Sequence, residues 1–220
     1  VSVKVSQAIA TRKSIRAFKN EPISNQTLAD LLTKSARTPS GGNVQPWRIF
    51  VINDQTMIRF KQYVLDHPQP EEPAYSIYPT KLTEPYRSSR FLVGEQMYAL
   101  LGIPREDKPA RLRRLAENFQ FFGAPAAIFC FVDRQMGLPQ WSDLGMFLQS
   151  FMLLAKEAGL DTCAQESWAA KPRTVSEFVK APDELRLFCG VAIGKADQEA
   201  PVNDLVSERE PLENFTTFVE

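Results

Sequence analysis

The strongest constraint on the fold of this chain is an unbroken apolar run, Ala126 to Val132, of sequence AAIFCFV. Pro125 precedes the run and Asp133 follows it, which gives it the length and the bounded ends of a buried strand. Because side chains alternate between the two faces of a strand, a run without polar residues requires cover on both faces. The sequence therefore predicts a central sheet with helices packed on each side.

Helical and strand patterns alternate along the rest of the chain. Ser24 is suited to be the N-cap of a helix that ends near Arg37, with leucines at helical spacing. The segment from Trp141 to Ala158 has so broad an apolar stripe that we expect its helix to run through the middle of the fold. Further strands are predicted over 48–52 (expected to be buried), 160–163 and 185–194, further helices over 57–65, 88–101, 107–119 and 172–179, and an extended tail from 195 onward.

The charge balance and the histidine content disfavour several functional classes. Lys and Arg together number 26, as do Asp and Glu, so no net charge would attract nucleic acid or an anionic membrane. The one histidine, His67, stands beside Pro68 in a proline-rich stretch, which argues against a histidine-based metal site or a catalytic triad. Nucleic-acid binding and most hydrolytic mechanisms are therefore poor candidates.

The cysteines and the apolar segments indicate the compartment. Cys130, Cys163 and Cys189 form no C-x-x-C pair and are too few for a fold held by disulfides, so we expect buried, reduced thiols. The N-terminal residues lack the apolar core of a signal peptide, and no apolar run approaches the ~18 to 20 residues of a membrane span. We therefore expect a cytoplasmic protein.

The glycine motifs that usually bind nucleotides are missing. No G-x-G-x-x-G follows a predicted strand, so any dinucleotide would bind without a Rossmann domain. Gly190 and Gly194 lie inside a strand pattern, where glycine indicates close packing or a bulge.

A long excursion interrupts the regular elements. The segment from 67 to 85 carries five prolines and two tyrosines and is predicted to be irregular. Loops of this length are commonly functional. We expect a single α+β domain over 1–220, with a mobile insertion at about 67–122 that forms a lid or substrate-pocket region.

A cationic segment of sequence R-K-S-I-R-A-F, near the N-terminus, is the first candidate site. In an extended chain Arg12, Ser14 and Arg16 would share one face and Lys13 would point the other way. Such a line of groups suits an anion. A solvated surface run would produce the same pattern.

The segment P-S-G-G-N-V-Q-P-W, before the strand at 48–52, is the second candidate site. Gly41 and Gly42 would let the backbone lie close to a flat ligand. Asn43 and Gln45 offer amide donors and acceptors to a polar heterocycle. A plain turn between helix and strand explains the same residues.

Together these segments resemble the nitroreductase family of FMN-dependent flavoenzymes. The order of R-K-S-I-R-A-F, a helix and P-S-G-G-N-V-Q-P-W is similar to the first two signatures of the family. G-L-D-T-C-A-Q-E-S-W at 159–168, and G-x-A-D-x-x-x-P-x-N followed by S-E-R-E-P-L, are similar to the third and fourth. The four segments span nearly the whole chain.

The resemblance implies a nitroreductase-like α+β fold with a central mixed sheet between helices, in an intertwined homodimer. FMN would lie at the dimer interface, held by residues of both chains. The residues implied for the FMN phosphate are Arg12, Lys13, Ser14 and Arg209, with Arg16 towards the pyrimidine edge. Pro39, Ser40, Gly41, Asn43 and Gln45 would come from the partner subunit, Glu166 and Ser167 would lie beside the flavin N5, and Asn118 could also reach the ring.

The resemblance also implies the reaction. NADH or NADPH would deliver hydride to the flavin and an acceptor would then take two electrons, so no protein nucleophile or general base is required. The insertion is similar to that of the subgroup that reduces nitroaromatics such as nitrobenzoates, from nitro through nitroso to hydroxylamine. Quinones, enones or halogenated phenols are alternative acceptors, and a flavin-binding protein without turnover is an alternative of another class.

Aromatic residues and arginines of the insertion are candidates for the acceptor pocket. The aromatic residues, which core packing would equally explain, are Tyr75, Tyr78, Tyr86, Phe91, Phe119, Phe121 and Phe122. The arginines, which could include a partner for a carboxylate or form a solvated face, are Arg87, Arg90, Arg105, Arg111, Arg113 and Arg114.

Overall fold

The structure is a computed structural model that describes residues 3–219. Its helices are α1 (Val5–Thr11), α2 (Asn25–Ser35), α3 (Asp54–Asp66), α4 (Tyr86–Leu100), α5 (Lys108–Ala116), α6 (Leu138–Glu157), α7 (Pro172–Val179) and α8 (Leu212–Phe215). Its strands are β1 (Arg48–Asn53), β2 (Ala126–Asp133), β3 (Asp161–Gln165) and β4 (Leu185–Gly194). Short 3₁₀ turns occupy Gly41–Asn43, Glu117–Gly123, Glu166–Ala170 and Pro201–Asp204. Within residues 3–219, no helix combines the length and the hydrophobicity that crossing a membrane requires.

The four strands form one sheet in the order β1-β2-β4-β3, and each neighbouring pair is antiparallel. The sheet was expected to mix parallel and antiparallel pairing. Within residues 3–219 the parallel pairing is limited to an isolated bridge between Ser14 and Thr162. The predicted α+β class is confirmed, and β4 has the bounds predicted from the sequence.

Both faces of β2 are buried, as its composition requires. Phe129 and Phe131 pack into a cluster on the side of α3 and α7, and Ile128 and Cys130 pack into a second cluster on the side of α2 and α6. Helix α6 contributes Leu144, Phe147 and Phe151 to the second cluster. The sheet therefore has helices on each face.

Strand β1 corrects one expectation. It was expected to be buried because R-I-F-V-I is mostly apolar, but Ile52 is its one buried residue and Val51 is 40% exposed. The reason is position, because β1 lies at the edge of the sheet and pairs with β2 alone. An apolar run does not reveal whether a strand has neighbours on one side or two.

The two glycines of β4 are sites of close packing, as predicted. A Cβ atom at Gly190 would overlap the indole ring of Trp168, and one at Gly194 would lie 2.8 Å from the Phe18 ring. Trp168 follows β3 and is fully buried. These contacts fix the 3₁₀ turn Glu166–Ala170 directly against the sheet.

The helix predictions are mostly confirmed, with three differences, one of which is the short helix α8 in the tail that was expected to be extended. The Ser24 side chain accepts a hydrogen bond from the Thr27 N–H at 3.0 Å, as expected of the N-cap of α2. Helix α1 was not predicted, because its seven residues bury a single side chain, Ala8. Helix α5 ends before the predicted 119, because the chain turns into the 3₁₀ segment in which Phe121 and Phe122 have positive φ.

The insertion is attached to the rest of the fold near its beginning. The carboxylate of Glu71 accepts hydrogen bonds from the backbone and the hydroxyl of Thr174, at the start of α7. The Tyr75 hydroxyl donates to the Phe188 carbonyl, and the Ala74 N–H donates to the Ala169 carbonyl. Residues 67–120 nevertheless include no buried residue. The insertion therefore lies on the core rather than inside it.

Candidate active site

A cavity of about 600 Å³ lies where the segment after α1 meets the chain leading to the C-terminal tail. We call it the cation cavity, because Arg12, Lys13, Arg16 and Arg209 line it together with Ser14. The sequence motif and the distant Arg209 are thus brought together, as the resemblance implied. Lys13, which was expected to point away from this line of groups, also lines the cavity, and its Nζ donates to the Asn203 carbonyl. The reason is that α1 ends at Thr11 and the following residues form isolated bridges rather than a regular strand.

Buried contacts hold the cationic segment in place. The Ile15 side chain is buried and its N–H donates to the Thr162 carbonyl at 3.0 Å. The Arg16 N–H donates to Asn203 Oδ1 at 2.8 Å, and Asn203 Nδ2 donates to the Ala17 carbonyl at 2.8 Å. Sequence reasoning missed Asn203, although it is the asparagine of the fourth signature. It joins the tail to the first motif.

The charges in the cation cavity have no internal counterions. Within residues 3–219, neither Arg12, Lys13, Arg16 nor Arg209 forms a salt bridge with a carboxylate. Burial, with the nearby charge of Arg209, lowers the pKa of Arg12. Placing like charges together in a partly buried site is unfavourable unless an anion binds between them. The cavity is therefore suited to a phosphate group.

A second cavity of about 550 Å³ shares Arg16 with the first. We call it the inner cavity. One side is formed by the core: Arg16, Gly145, Leu148, Met152, Cys163 to Ser167, Phe188 and Cys189. The rest of the lining belongs to the insertion: Ile77, Tyr78, Met97, Tyr98, Arg114, Leu115, Asn118 and Phe122.

The end of β3 supplies the polar part of the inner cavity. Gln165 is buried, and its Nε2 donates to the Asn118 carbonyl at 2.8 Å, which ties β3 to the last turn of the insertion. Glu166 and Ser167 of the third signature follow and also line the cavity. Partial burial raises the pKa of the Glu166 carboxyl.

The second candidate segment, residues 39–45, lies outside both cavities. Pro39, Gly41, Asn43 and Gln45 are exposed, and among the residues that line the two cavities none comes from 39–45. The Gly41 N–H approaches the buried Asp143 carboxylate on α6 at 3.3 Å, and the Gln45 N–H donates to Ser40 Oγ at 2.9 Å. Gly42, Asn43 and Gln45 all have positive φ. Two non-glycine residues held in that conformation are typical of functional loops.

Few of the aromatic candidates of the insertion line the inner cavity. Tyr78 and Phe122 line it, whereas Tyr75 packs edge-on against Trp141 and Phe121 belongs to the core. Tyr98 also lines the cavity and was not anticipated, because helical periodicity within an isolated insertion does not reveal which face meets the core.

The cysteines are buried free thiols, as predicted. Cys163 and Cys189 line the inner cavity, and burial raises the pKa of both thiols. They therefore act as small apolar wall residues rather than nucleophiles. Within residues 3–219, no group of three or more His, Cys, Asp or Glu side chains is arranged to hold a metal ion.

Comparisons with known proteins agree with this arrangement. The model of the nitroreductase family matches residues 9–195. The chain is 33% identical to nitrobenzene nitroreductase of Ectopseudomonas oleovorans, with 98% of this chain and 96% of the relative covered. It is 33% identical to 4-nitrobenzoate reductase of Pseudomonas putida, with 96% and 93% covered. The crystal structure of FMN and NADPH-dependent nitroreductase NfnB from sphigopyxis sp. strain HMH matches with a TM-score of 0.95 and 41% identity, over 99% of this chain and all of that one.

Proposed function

Because the chain belongs to the nitroreductase family, we propose that it is an FMN-dependent oxidoreductase that uses NADH or NADPH to reduce nitroaromatic compounds. The observation that carries the proposal is the meeting of two cavities at Arg16, one cationic and one lined by aromatic and aliphatic side chains. Together they suit a ligand that has a phosphate at one end and a flat heterocycle at the other. Relatives that reduce nitrobenzene and 4-nitrobenzoate support the acceptor class. We place the enzyme in the cytoplasm, where its free thiols would stay reduced.

The residues of the cation cavity would hold the FMN phosphate. Arg12, Lys13 and Arg209 supply charge, and the Ser14 hydroxyl supplies a further donor. Arg16 stands at the junction of the cavities, where its guanidinium would stabilise negative charge on the pyrimidine side of the ring. Glu166 and Ser167 follow β3 and would lie beside the flavin N5, to which a backbone N–H could donate a hydrogen bond.

FMN, when bound, supplies hydride transfer between the nicotinamide and the acceptor. The chain supplies orientation and a dry surface. Tyr78, Tyr98 and Phe122 would restrict the acceptor to a flat ring, and Leu148 and Met152 would exclude water from the opposite wall. This role of the insertion as the acceptor pocket is part of the proposal.

We also propose that the enzyme is a homodimer in which Pro39, Ser40, Gly41, Asn43 and Gln45 complete the flavin site of the partner subunit. The loop is exposed and lies outside the two cavities of its own chain, and a side chain at Gly41 would meet no atom of its own chain. Large apolar side chains of the tail are also uncovered: Leu212 is 54%, Phe215 68% and Phe218 81% exposed. A second copy of the chain would cover such surface.

The first test is cofactor content and turnover. The purified protein should be yellow and release about one FMN per chain on denaturation, and it should oxidise NADH or NADPH when nitrobenzene or 4-nitrobenzoate is added. A protein that binds no FMN after reconstitution would contradict the whole proposal. Binding of FMN without turnover of any nitroarene, quinone or enone would indicate a flavin-binding protein instead.

The second test concerns the shared site. One subunit carries Arg12→Ala and Arg16→Ala, and the other carries Gly41→Val, which places a side chain where backbone would approach the ring. A mixed dimer would then have one site with both defects and one with neither, so activity should return to about half of the wild-type value. Inactive mixed dimers of verified composition would contradict the shared-site arrangement.

A further inference from the structure

Arg114 is the one arginine of the insertion that lines the inner cavity. It lies in the last turn of α5, and its guanidinium carbon is 5.0 Å from the centre of the Phe122 ring. Its Nη2 donates to the backbone carbonyl of Arg16 at 2.8 Å. Arg114 therefore has a fixed position at the wall where the insertion meets the core.

The guanidinium of Arg114 lacks a counterion among residues 3–219. It forms no salt bridge, and its buried Nε has no hydrogen-bond partner. Partial burial lowers its pKa, the nearby carboxylate of Glu117 opposes this shift without forming a salt bridge, and the neighbouring charge of Arg16 adds to it. By contrast, Arg111 is paired with Glu95 and Arg87 with Glu84. A partly desolvated cation without a partner is unfavourable, so its position favours an anionic ligand.

The cofactor of the proposed function already has cations for its own charges. Arg12, Lys13 and Arg209 line the cation cavity, and Arg16 stands between the two cavities. Arg114 belongs to the insertion and lines the inner cavity but not the cation cavity. A ligand stacked against the flavin would lie between the ring and the insertion. The positive charge of Arg114 would then lie on the side of the acceptor.

We propose that Arg114 is a specificity-determining residue that binds the carboxylate of an anionic nitroarene, such as a nitrobenzoate. The inference rests on the proposed function and narrows its substrate class. The relatives do not decide the point, since nitrobenzene and 4-nitrobenzoate reductases are equally similar to the chain. A guanidinium can bind a carboxylate through two parallel hydrogen bonds, and Nη1 of Arg114 donates to no residue of 3–219, which leaves it free for such a ligand.

The kinetic test compares a charged and a neutral substrate of the same shape. The ratio of kcat/KM for 4-nitrobenzoate to that for nitrobenzene should fall about tenfold to a hundredfold in Arg114→Gln, the effect of one charge-assisted hydrogen bond. Arg114→Lys keeps the positive charge but cannot form the two parallel hydrogen bonds of a guanidinium, so its ratio of kcat/KM values should lie between those of wild type and Arg114→Gln. Arg113→Gln is the matched control, because Arg113 is exposed and stands one residue away in the same helical turn.

A binding test needs no turnover. Benzoate cannot be reduced at a nitro group, so its dissociation constant with the oxidised holoenzyme, measured by calorimetry, reports the carboxylate contact alone. It should rise about tenfold or more in Arg114→Gln and stay unchanged in Arg113→Gln. FMN content and melting temperature are measured for every variant, to show that the fold and the cofactor are retained.

The outcomes separate the inference from the proposed function. A wild-type enzyme that reduces nitrobenzene but shows no change in the substrate ratio or in benzoate affinity on loss of Arg114 would overturn the inference and leave the proposed function standing. Equal loss of both substrates with a lowered flavin potential would also overturn it, since Arg114 would then serve the flavin. A wild-type enzyme that reduces neither nitroarene would overturn the proposed function itself.

Discussion

The two walls of the inner cavity differ in how the fold holds them. The core wall ends in residues fixed by burial, such as Gln165 and Trp168, and it is continuous with the sheet. The insertion wall, apart from the buried Phe122, belongs to residues 67–120, among which none is buried, and α4 and α5 contact the core through half-exposed side chains. Both walls line one cavity, but the hydrophobic core extends into the second only at Phe122.

This difference assigns the two walls different roles in the proposed enzyme. A cofactor used in every turnover needs a fixed site, and Asn203, Ile15 and Thr162 supply it through buried contacts. An acceptor pocket can vary if its wall contributes little to the stability of the fold. Segments with few buried contacts also open at a lower free energy than the core. The insertion is therefore expected to set specificity and to open at a lower free energy than the sheet.

The largest contrast is expected from the same Gly→Ala substitution in an element behind each wall, strand β4 and helix α4. Gly190→Ala should lower the free energy of unfolding by roughly 1–3 kcal/mol or more, because the new Cβ would overlap Trp168. Gly94→Ala should raise it by roughly 0.5–1 kcal/mol, because Gly94 lies within α4 and its Cβ would meet no atom within 4 Å. Urea unfolding measures both values. Equal destabilisation by the two substitutions would break the comparison.

A second contrast concerns cofactor affinity. Arg209→Ala removes a cation of the cation cavity and should weaken FMN binding by about tenfold to a hundredfold, while riboflavin, which has no phosphate, should bind wild type and variant alike. Arg113→Ala removes an exposed cation of the insertion and should leave both affinities unchanged. Quenching of flavin fluorescence gives the dissociation constants. If riboflavin binding fell as far as FMN binding, Arg209 would act on another part of the cofactor.

The smallest effect is expected within the insertion, at the ion pair between Glu95 of α4 and Arg111 of α5. Hydrogen bonding from Arg111 lowers the pKa of Glu95 in the folded state. Its contribution is therefore present above the ordinary pKa of glutamate and is lost as the pH falls through the lowered value. Glu95→Gln should speed amide hydrogen exchange in α4 and α5 at neutral pH, and this difference should disappear in acid. A difference that persists in acid would mean that the pair does not hold the two helices together.

Much of the local structure could be predicted because it depends on neighbouring residues in the chain. The apolar run of β2 predicts a strand covered on both faces, and the structure has it so. The broad apolar stripe of α6 predicts a helix in the middle of the fold, but α6 packs on one face of the sheet and leaves Met146 41% exposed. Ser24 begins α2 as its side chain suggests. The cationic motif, the residues after β3 and Arg209 were named as one site from their resemblance to a family. The structure brings them to two cavities that share Arg16.

The sequence by itself determined the elements, their order and the identity of the chemical groups, because periodicity, capping and turn residues act over a few residues. Only the tertiary structure decided that β1 is an edge strand, that Lys13 faces the same cavity as Arg12, and that Asn203 holds Arg16. Only the tertiary structure showed that, among the arginines of the insertion, Arg114 lines the inner cavity. The physical reason is that burial and charge pairing depend on residues far apart in the chain, and local patterns carry no information about which of them meet.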